Sequence, residues 1–397
     1  MIDDHISLFE PHRFWDDQPV PKATDQLKLS ESEFNKPIEV KTLSEVQQDP
    51  YVLPAEYNWC DLDLNNESVL DEVYNLLVEN YVEDDEAMFR FDYSRPFLRW
   101  ALLMPGGEPN WIVGVRGGKA QKLYGMITGI PVRMSLNNTQ VMCAEINFLC
   151  VHKGLRAKRL APILIKEITR RVNLKEIWQA IYTAGARIPT PITGATYWHR
   201  SLNPKKLLDV KFSHKSKKVS MASHIKRHAL PATSIWPSLR PMQEEDIPKV
   251  TELLTTYLSE RKIHIHFTVE EVKHFFLPQN NVVYTYVEGP VGGNLTDMFS
   301  FYCLPSQVLN HDTHNMLWVA YSYYNVSTTD RLEQGMEEIL IRAKELEFDV
   351  FNCLDVMDNE PFLEKLKFGK GDGELHYYLY NWRMRDVTPS DLGIVLV

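Results

Sequence analysis

Apolar residues first fall at helical spacing after Ser68. Val69, Leu70, Val73, Leu76, Leu77 and Tyr81 recur at i, i+3/i+4 and i+7, one face of a helix, and Ser68 with Asp71 reads as its capping box. The acidic run Glu83-Asp84-Asp85-Glu86 closes it. MFRFDYS, LRWALLMPG, NWIVGVRGG and LYGMITGIPVRMSL then read as an antiparallel meander broken by Gly, Pro and Asn turns. The strand VMCAEINFLCVHKG feeds a basic loop and the helix LRAKRLAPILIKEITRRVN. That helix has Pro162 in its first turn and Ile163, Leu164, Ile168 and Val172 as its buried stripe. IWQAIYTAG is a further strand.

The pattern then repeats. Asp246 caps a helix with Pro248 in its first turn and Val250, Leu253, Leu254, Tyr257 and Leu258 on one face. The hairpin VVYTYVEG/LTDMFSFYCL follows, then the strand LWVAYSYYNVS and a helix through Leu332, Met336, Ile339 and Leu340. The strand DVFNCLDV, the short helix EPFLEKLK and the strand ELHYYLYNW complete the series. Helix, meander, strand, helix, strand occurs twice, an internal duplication of architecture. Between Arg200 and Arg227 the chain is basic, with Asp209 as its lone acid, and reads as a solvated crossover. The expected organisation is an amino-terminal arm over 1–50, one half over 51–225 and a second over 226–397.

Composition narrows the class. The chain has 397 residues, 44% apolar and 24% charged, which suits two domains or one large fused one and excludes bulk disorder. A net charge of −10 argues against a chain built to coat nucleic acid or an anionic membrane. Five scattered cysteines without CxxC pairing read as reduced thiols, with no disulfide frame or zinc site. No leader pattern and no apolar run of membrane-spanning length are present, so a soluble cytoplasmic chain is expected.

The order helix, meander, strand, basic loop, helix is the plan of a GNAT-type acyltransferase. A pyrophosphate needs N–H groups at a helix N-terminus and positive side chains; Arg156, Lys158 and Arg159 meet that need, and a solvated basic loop meets the pattern equally. In EINFLC, strict alternation fails at Phe148-Leu149. A β-bulge there turns two N–H groups outward as an oxyanion hole; a strand buried on both faces fits the same letters. His264-Ile-His266 has a pair spacing without a third ligand, and Cys150 near His152 is a thiol candidate at the end of an apolar strand.

EINFLCVHK (Glu145–Lys153) and KFGKGDG (Lys367–Gly373) resemble the two motifs of the glycylpeptide N-tetradecanoyltransferases, the N-myristoyltransferases. LRAKRLAPILIKEITRR, YTAG, YWHRSLNPKKL, VEDDEAMFRFDYS and the ending GIVLV resemble that family too, so the likeness runs from about Phe14 to Val397. It implies an α+β fold of two fused GNAT-like halves, mixed sheets flanked by helices. It also implies transfer of myristoyl from myristoyl-CoA to the α-amine of an N-terminal glycine, with no acyl-enzyme and no metal.

By the same resemblance, Phe148 and Leu149 offer backbone N–H groups to the thioester oxygen. Asn147 and Thr183 hold the glycine amine, and the Val397 α-carboxylate is the base. Arg156, Ala157, Lys158 and Arg159, continuing into Leu160, Ala161 and Pro162, cradle the phosphates of CoA, and Phe14 and Trp15 touch it from the arm. Phe89, Phe91, Tyr93, Tyr197, His199, Ser306, Tyr321 and Leu396 line the peptide groove, with Asp84, Glu86 and Asp372 as its acidic contacts. Partners are peptides or nascent proteins beginning Gly-x-x-x-Ser/Thr with basic residues after. No nucleic acid, no membrane insertion and a monomer are expected. Ala157 stands where many relatives carry Ser, and the long basic amino-terminal extension of some relatives is absent. Two readings remain beside it: a GNAT-type acetyltransferase for another amine, and a nucleic-acid module built on Arg200–Arg227.

Overall fold

The computed structural model describes residues 14–83 and 88–397. The amino-terminal arm carries α1 (Asp25–Lys28) and is pinned to the far end of the chain. There the Asn381 N–H donates to the Pro19 carbonyl at 2.7 Å, and Arg383 reaches the Asp25 carboxylate at 3.3 Å. Then come β1 (Tyr57–Asp61), α2 (Glu67–Asn80), β2 (Phe89–Phe91) and α3 (Arg95–Leu102). A meander of β3 (Ile112–Gly117), β4 (Lys122–Leu136) and β5 (Thr139–Val151) leads through α4 (Leu160–Asn173) to β6 (Gln179–Ala184) and β7 (Thr193–Ser201). Short helices α5 (Pro204–Asp209) and α6 (Met221–Arg227) carry the basic crossover.

The second half opens with β8 (Arg240–Pro241), α7 (Ile247–Leu258), β9 (Ile263–Ile265) and α8 (Val269–Phe276). Strands β10 (Val283–Glu288) and β11 (Asp297–Cys303), the hairpin β12 (Ser306–Val308) and β13 (Met316–Leu317), and β14 (Val319–Ser327) follow. Helix α9 (Leu332–Glu345) crosses to β15 (Val350–Leu354); α10 (Glu360–Leu363), β16 (Gly369–Tyr380) and β17 (Leu392–Gly393) complete the chain.

Among the described residues, the main sheet runs β1-β3-β4-β5-β6-β16-β7-β15-β14-β11-β10-β8, with β9 and β17 attached to β4. The duplication is visible in the pairing. β5 and β6 are parallel and joined through α4; β14 and β15 are parallel and joined through α9. Each half lends a late strand to the other: β16 pairs with β6, and β7 with β15. This is the α+β class expected, with its two halves fused through one sheet. No described helix is long and apolar enough to cross a membrane.

The bulge expected at Phe148-Leu149 is present. Cys150 pairs with Met126 and Asn147 with Thr128, so two residues of β5 oppose Ile127 alone, and Phe148 takes φ 51°. The second half repeats the irregularity: Tyr323 and Tyr324 of β14 oppose Ser300 of β11. There the Ser300 hydroxyl donates to the Tyr324 carbonyl at 2.8 Å and accepts from the Tyr324 N–H at 2.9 Å, so the second bulge is closed by a side chain of the opposing strand.

Three expectations are corrected. LRWALLMPG is a helix: Ser94 accepts from the Phe97 N–H at 3.3 Å and Pro96 sits in the first turn, leaving Phe97, Leu98, Trp100 and Ala101 buried. A cap and a proline in the first turn outweigh short-range alternation. The α2 cap is Asn66, which accepts from Ser68 and Val69 N–H groups, and not Ser68. Asp246 gives its carboxylate to the Arg240 fork at 2.7 and 2.9 Å and to the Gln243 and Gly292 N–H groups, so it ties a turn instead of capping α7.

Candidate active site

The chemistry gathers where β5 is broken. The Phe148 N–H donates to the Asn147 side-chain oxygen at 3.0 Å, and the Asn147 side-chain nitrogen donates to the Val397 terminal oxygen. One asparagine thus links a bulge N–H to the end of the backbone, 250 residues away. The tail reaches this place because it is apolar: Ile394, Val395 and Leu396 are buried, and β17 lies parallel to β9. The Tyr324 hydroxyl accepts from the Val395 N–H at 3.0 Å, fixing the tail two residues before its end.

Two cavities are lined by the candidate residues. The first, about 270 Å³, is lined by Asn147, Phe148, Leu149 and Thr183, by Ile165, Thr169 and Val172 of α4, and by Trp15 of the arm. Trp15 stacks on Tyr182 with centroids 5.7 Å apart. The wall is mostly apolar, suited to a hydrocarbon. The second, about 310 Å³, is lined by Phe89, Phe91, Tyr197, His199, Ser306 and Tyr321. Tyr93 stands between the cavities, its ring 5.0 Å from Phe148 and 5.8 Å from Phe91. In the second cavity His199 Nδ1 meets the Asn352 side-chain oxygen at 2.6 Å. A Cβ at Gly371 would come within 2.5 Å of His199 Nε2, so this close approach requires glycine.

Beside the first cavity, a 3₁₀ turn over Lys153–Lys158 delivers Arg159 in the left-handed region (φ 57°) as the entry to α4. No side chain caps this helix, so its first N–H groups stay available. Arg156, Ala157, Lys158 and Arg159 are exposed, Leu160 is buried, and Ala161 and Pro162 are half-buried. Arg156 also donates to the Asn80 carbonyl at 2.6 Å, which sets its guanidinium at the C-terminal end of α2. A helix N-terminus with free amides and three cations is an anion site.

Comparison with known proteins decides the family. The model for "Myristoyl-CoA:protein N-myristoyltransferase, N-terminal domain" matches residues 37–195, and its C-terminal counterpart matches 209–394. Glycylpeptide N-tetradecanoyltransferase 1 of Arabidopsis thaliana is 51% identical over 397 residues, covering 99% of this chain and 91% of its own. Glycylpeptide N-tetradecanoyltransferase 2 of Danio rerio is 51% identical over 385 residues, covering 97% of this chain and 77% of its own. A crystal structure of Saccharomyces cerevisiae N-myristoyltransferase with bound myristoyl-CoA superposes with a TM-score of 0.92 at 39% identity, over 97% of this chain and 95% of that one. The chain belongs to the N-myristoyltransferase family.

As a member of this acyltransferase family, the chain brings together most residues singled out from its sequence. Asn147, Phe148, Leu149, Thr183 and Trp15 share one cavity, and six of the expected groove residues share the other. Phe14 packs edge-on against Trp15 with centroids 5.0 Å apart. Leu396 is buried in the main core, and the exposed Asp372 adjoins Gly373 of the groove. Asp84 and Glu86 lie outside the described residues. Glu83, the described end of that cluster, pairs with Arg90 at 3.0 Å and with Lys153, and these cations hold its carboxyl below the usual range.

Sequence reasoning missed Ile165, Thr169, Tyr182 and Tyr380 of the first cavity and Phe212, Leu317 and Asn352 of the second. For α4 a signal existed: Ile165 and Thr169 stand at i and i+4, and with Val172 of the stripe that was read they continue to i+7. Phe212 and Asn352 carry none, because only the exchanged strands bring them together. The thiol candidate Cys150 is buried and pushed up to about 12 by burial, with Sγ toward the Leu76 carbonyl, so it is a packed side chain and no nucleophile. Among the described residues no group of three or more His, Cys, Asp or Glu is placed to hold a metal.

Glu145 is buried, and desolvation raises its carboxyl to about 8. The native state therefore holds this proton where an unfolded chain has lost it. The sign follows: stability falls as pH rises from about 4.5 toward 8, then levels. Glu145→Gln is expected to stabilise the protein at pH 8, by on the order of 4 kcal/mol, and to make little difference near pH 4.5. Denaturant titrations at the two pH values check this, and equal effects at both would contradict the assignment.

Proposed function

We propose that this chain transfers myristoyl from myristoyl-CoA to the α-amine of an N-terminal glycine, by direct attack of the amine on the thioester. The observation that carries the reading is the linkage of Phe148, Asn147 and Val397 beside the apolar cavity that Asn147 and Phe148 line. The myristoyl chain occupies the cavity of Ile165, Thr169 and Trp15, and the CoA phosphates lie on the Arg156–Arg159 turn. In this arrangement the arm and the half over 51–225 hold the acyl donor, and residues 226–397 supply much of the groove and the tail.

The thioester oxygen takes the N–H groups of Phe148 and Leu149. The Phe148 N–H now held by its neighbour's side chain is given to that oxygen, where developing charge makes the hydrogen bond stronger. The amine arrives largely as ammonium, since an α-amino group has a pKa of ~7.7–8.0. It rests between Asn147 and Thr183, and loses a proton to the Val397 carboxylate. Attack then forms the N–C bond, the tetrahedral oxyanion collapses, the C–S bond breaks, and the proton that the new amide nitrogen sheds goes to the departing CoA thiolate, which leaves as the thiol. The acidic run at 83–86 draws basic residues that follow the peptide's fifth position.

The test is mass spectrometry of a Gly-initiated peptide incubated with the enzyme and myristoyl-CoA, run beside acetyl-CoA. A mass gain of one myristoyl group at the amino terminus, with little acetyl transfer, is expected. A preference for acetyl-CoA would return the chain to the general amine acetyltransferases. Comparing Lys with Ala after the fifth-position Ser reads the acidic run in the same assay.

A further inference from the structure

We infer that Thr128, outside both sequence motifs, is a positioning residue that aims the oxyanion donor. Its side-chain hydroxyl donates to the Asn147 carbonyl oxygen at 2.9 Å, and the residue is fully buried. A carbonyl can only accept, so the direction of this bond is fixed. The Asn147 carbonyl and the Phe148 N–H belong to one planar peptide unit and point opposite ways. Holding the oxygen therefore holds the N–H.

The restraint is needed here because the unit sits in a bulge. Ladder pairing lapses between Asn147 and Cys150, and Phe148 is in the left-handed region at φ 51°, a conformation that surroundings must impose on a residue with a side chain. The second half shows the alternative. Its matching bulge is satisfied by Ser300 from the opposing strand, which consumes the Tyr324 N–H and leaves nothing to offer a substrate. Thr128 binds the carbonyl side, and the N–H side is met by the Asn147 side-chain oxygen, the partner that the thioester oxygen replaces.

This inference rests on the oxyanion role proposed for Phe148. Thr128→Val keeps the shape and removes the hydroxyl, whereas Thr128→Ser keeps it. Two readouts are taken: the single-turnover rate of acyl transfer, and the infrared carbonyl band of enzyme-bound myristoyl-CoA carrying ¹³C at the thioester carbon. An oxyanion hole polarises that carbonyl and lowers its band relative to free myristoyl-CoA. In Thr128→Val the rate is expected to fall about 10-fold or more, short of the ~10²–10³ that loss of a whole donor costs. Its band is expected to return at least halfway to the free position, and Thr128→Ser to stay near wild type in both. Myristoyl-CoA affinity, measured by calorimetry, should remain within a few-fold and certifies folding. A Val variant with wild-type rate and band overturns the role of Thr128 while leaving the oxyanion hole in place. A wild-type band that does not move on binding overturns the oxyanion reading, and the role of Thr128 with it.

Discussion

Removing Leu396 and Val397 is expected to lower the single-turnover rate of acyl transfer by ~10²–10⁴, the range general-base catalysis supplies. Two residues of extended chain move the terminal carboxylate ~6–7 Å. Proton transfer works over ~2.6–3.2 Å, so the shortened end cannot substitute. Asn147 loses its partner in the same step, since its side-chain nitrogen donates to the Val397 terminal oxygen. Val397→Ala keeps the carboxylate and the Tyr324 anchor at Val395, and should cost far less. A peptide extension after Val397 should mimic the deletion, because it turns the carboxylate into an amide. Myristoyl-CoA affinity should barely change in any of these variants, since the Arg156–Arg159 turn is untouched. A truncated or extended enzyme with an unaltered single-turnover rate would remove the terminal carboxylate from the mechanism, and Glu145 would be the next group to test.

What could be read from the letters alone was what is local. The broken alternation at Phe148-Leu149 left a bulge and a strand buried on both faces side by side, and the register shows the bulge. The apolar ending Gly393–Val397 announced a tail that packs, and Ile394, Val395 and Leu396 are buried. The α3 helix was misread because LRWALLM has too few residues to separate period 2 from period 3.6, and Ser94 with Pro96 held the answer. Contacts between elements distant along the chain were out of reach. Tyr324 meets Val395 across 71 positions and Ser300 closes the second bulge across 24; no spacing encodes either. Thr128 is hidden for the same reason. It faces Asn147 only through the β4–β5 register, and a threonine in a strand is ordinary. The motif names the groups proposed to touch substrate, and the opposing strand supplies what holds them.

Replacing Arg156 and Lys158 together by Met is expected to weaken myristoyl-CoA binding at least tenfold, read by calorimetry. Charge-assisted hydrogen bonds are worth ~1.5–3 kcal/mol each, and exposure of both side chains places the expected loss at the lower end. The two residues should not contribute alike. Arg156 is held at the Asn80 carbonyl at 2.6 Å, so its guanidinium waits in a fixed place and loses little freedom on binding. Lys158 is an exposed point charge at the end of the 3₁₀ turn. Arg156→Lys should therefore lose much of the Arg156 contribution, whereas Lys158→Arg should be tolerated. Raising salt should weaken wild-type binding more than binding by the double variant, since each removed cation removes a screened interaction. The peptide-free fold should persist, because Leu155 and Leu160, the buried residues that seat this turn, are unchanged. Wild-type affinity in the double variant would move the phosphates away from the α4 N-terminus. The backbone amides there, left open by the left-handed Arg159, would then need another anion to explain them.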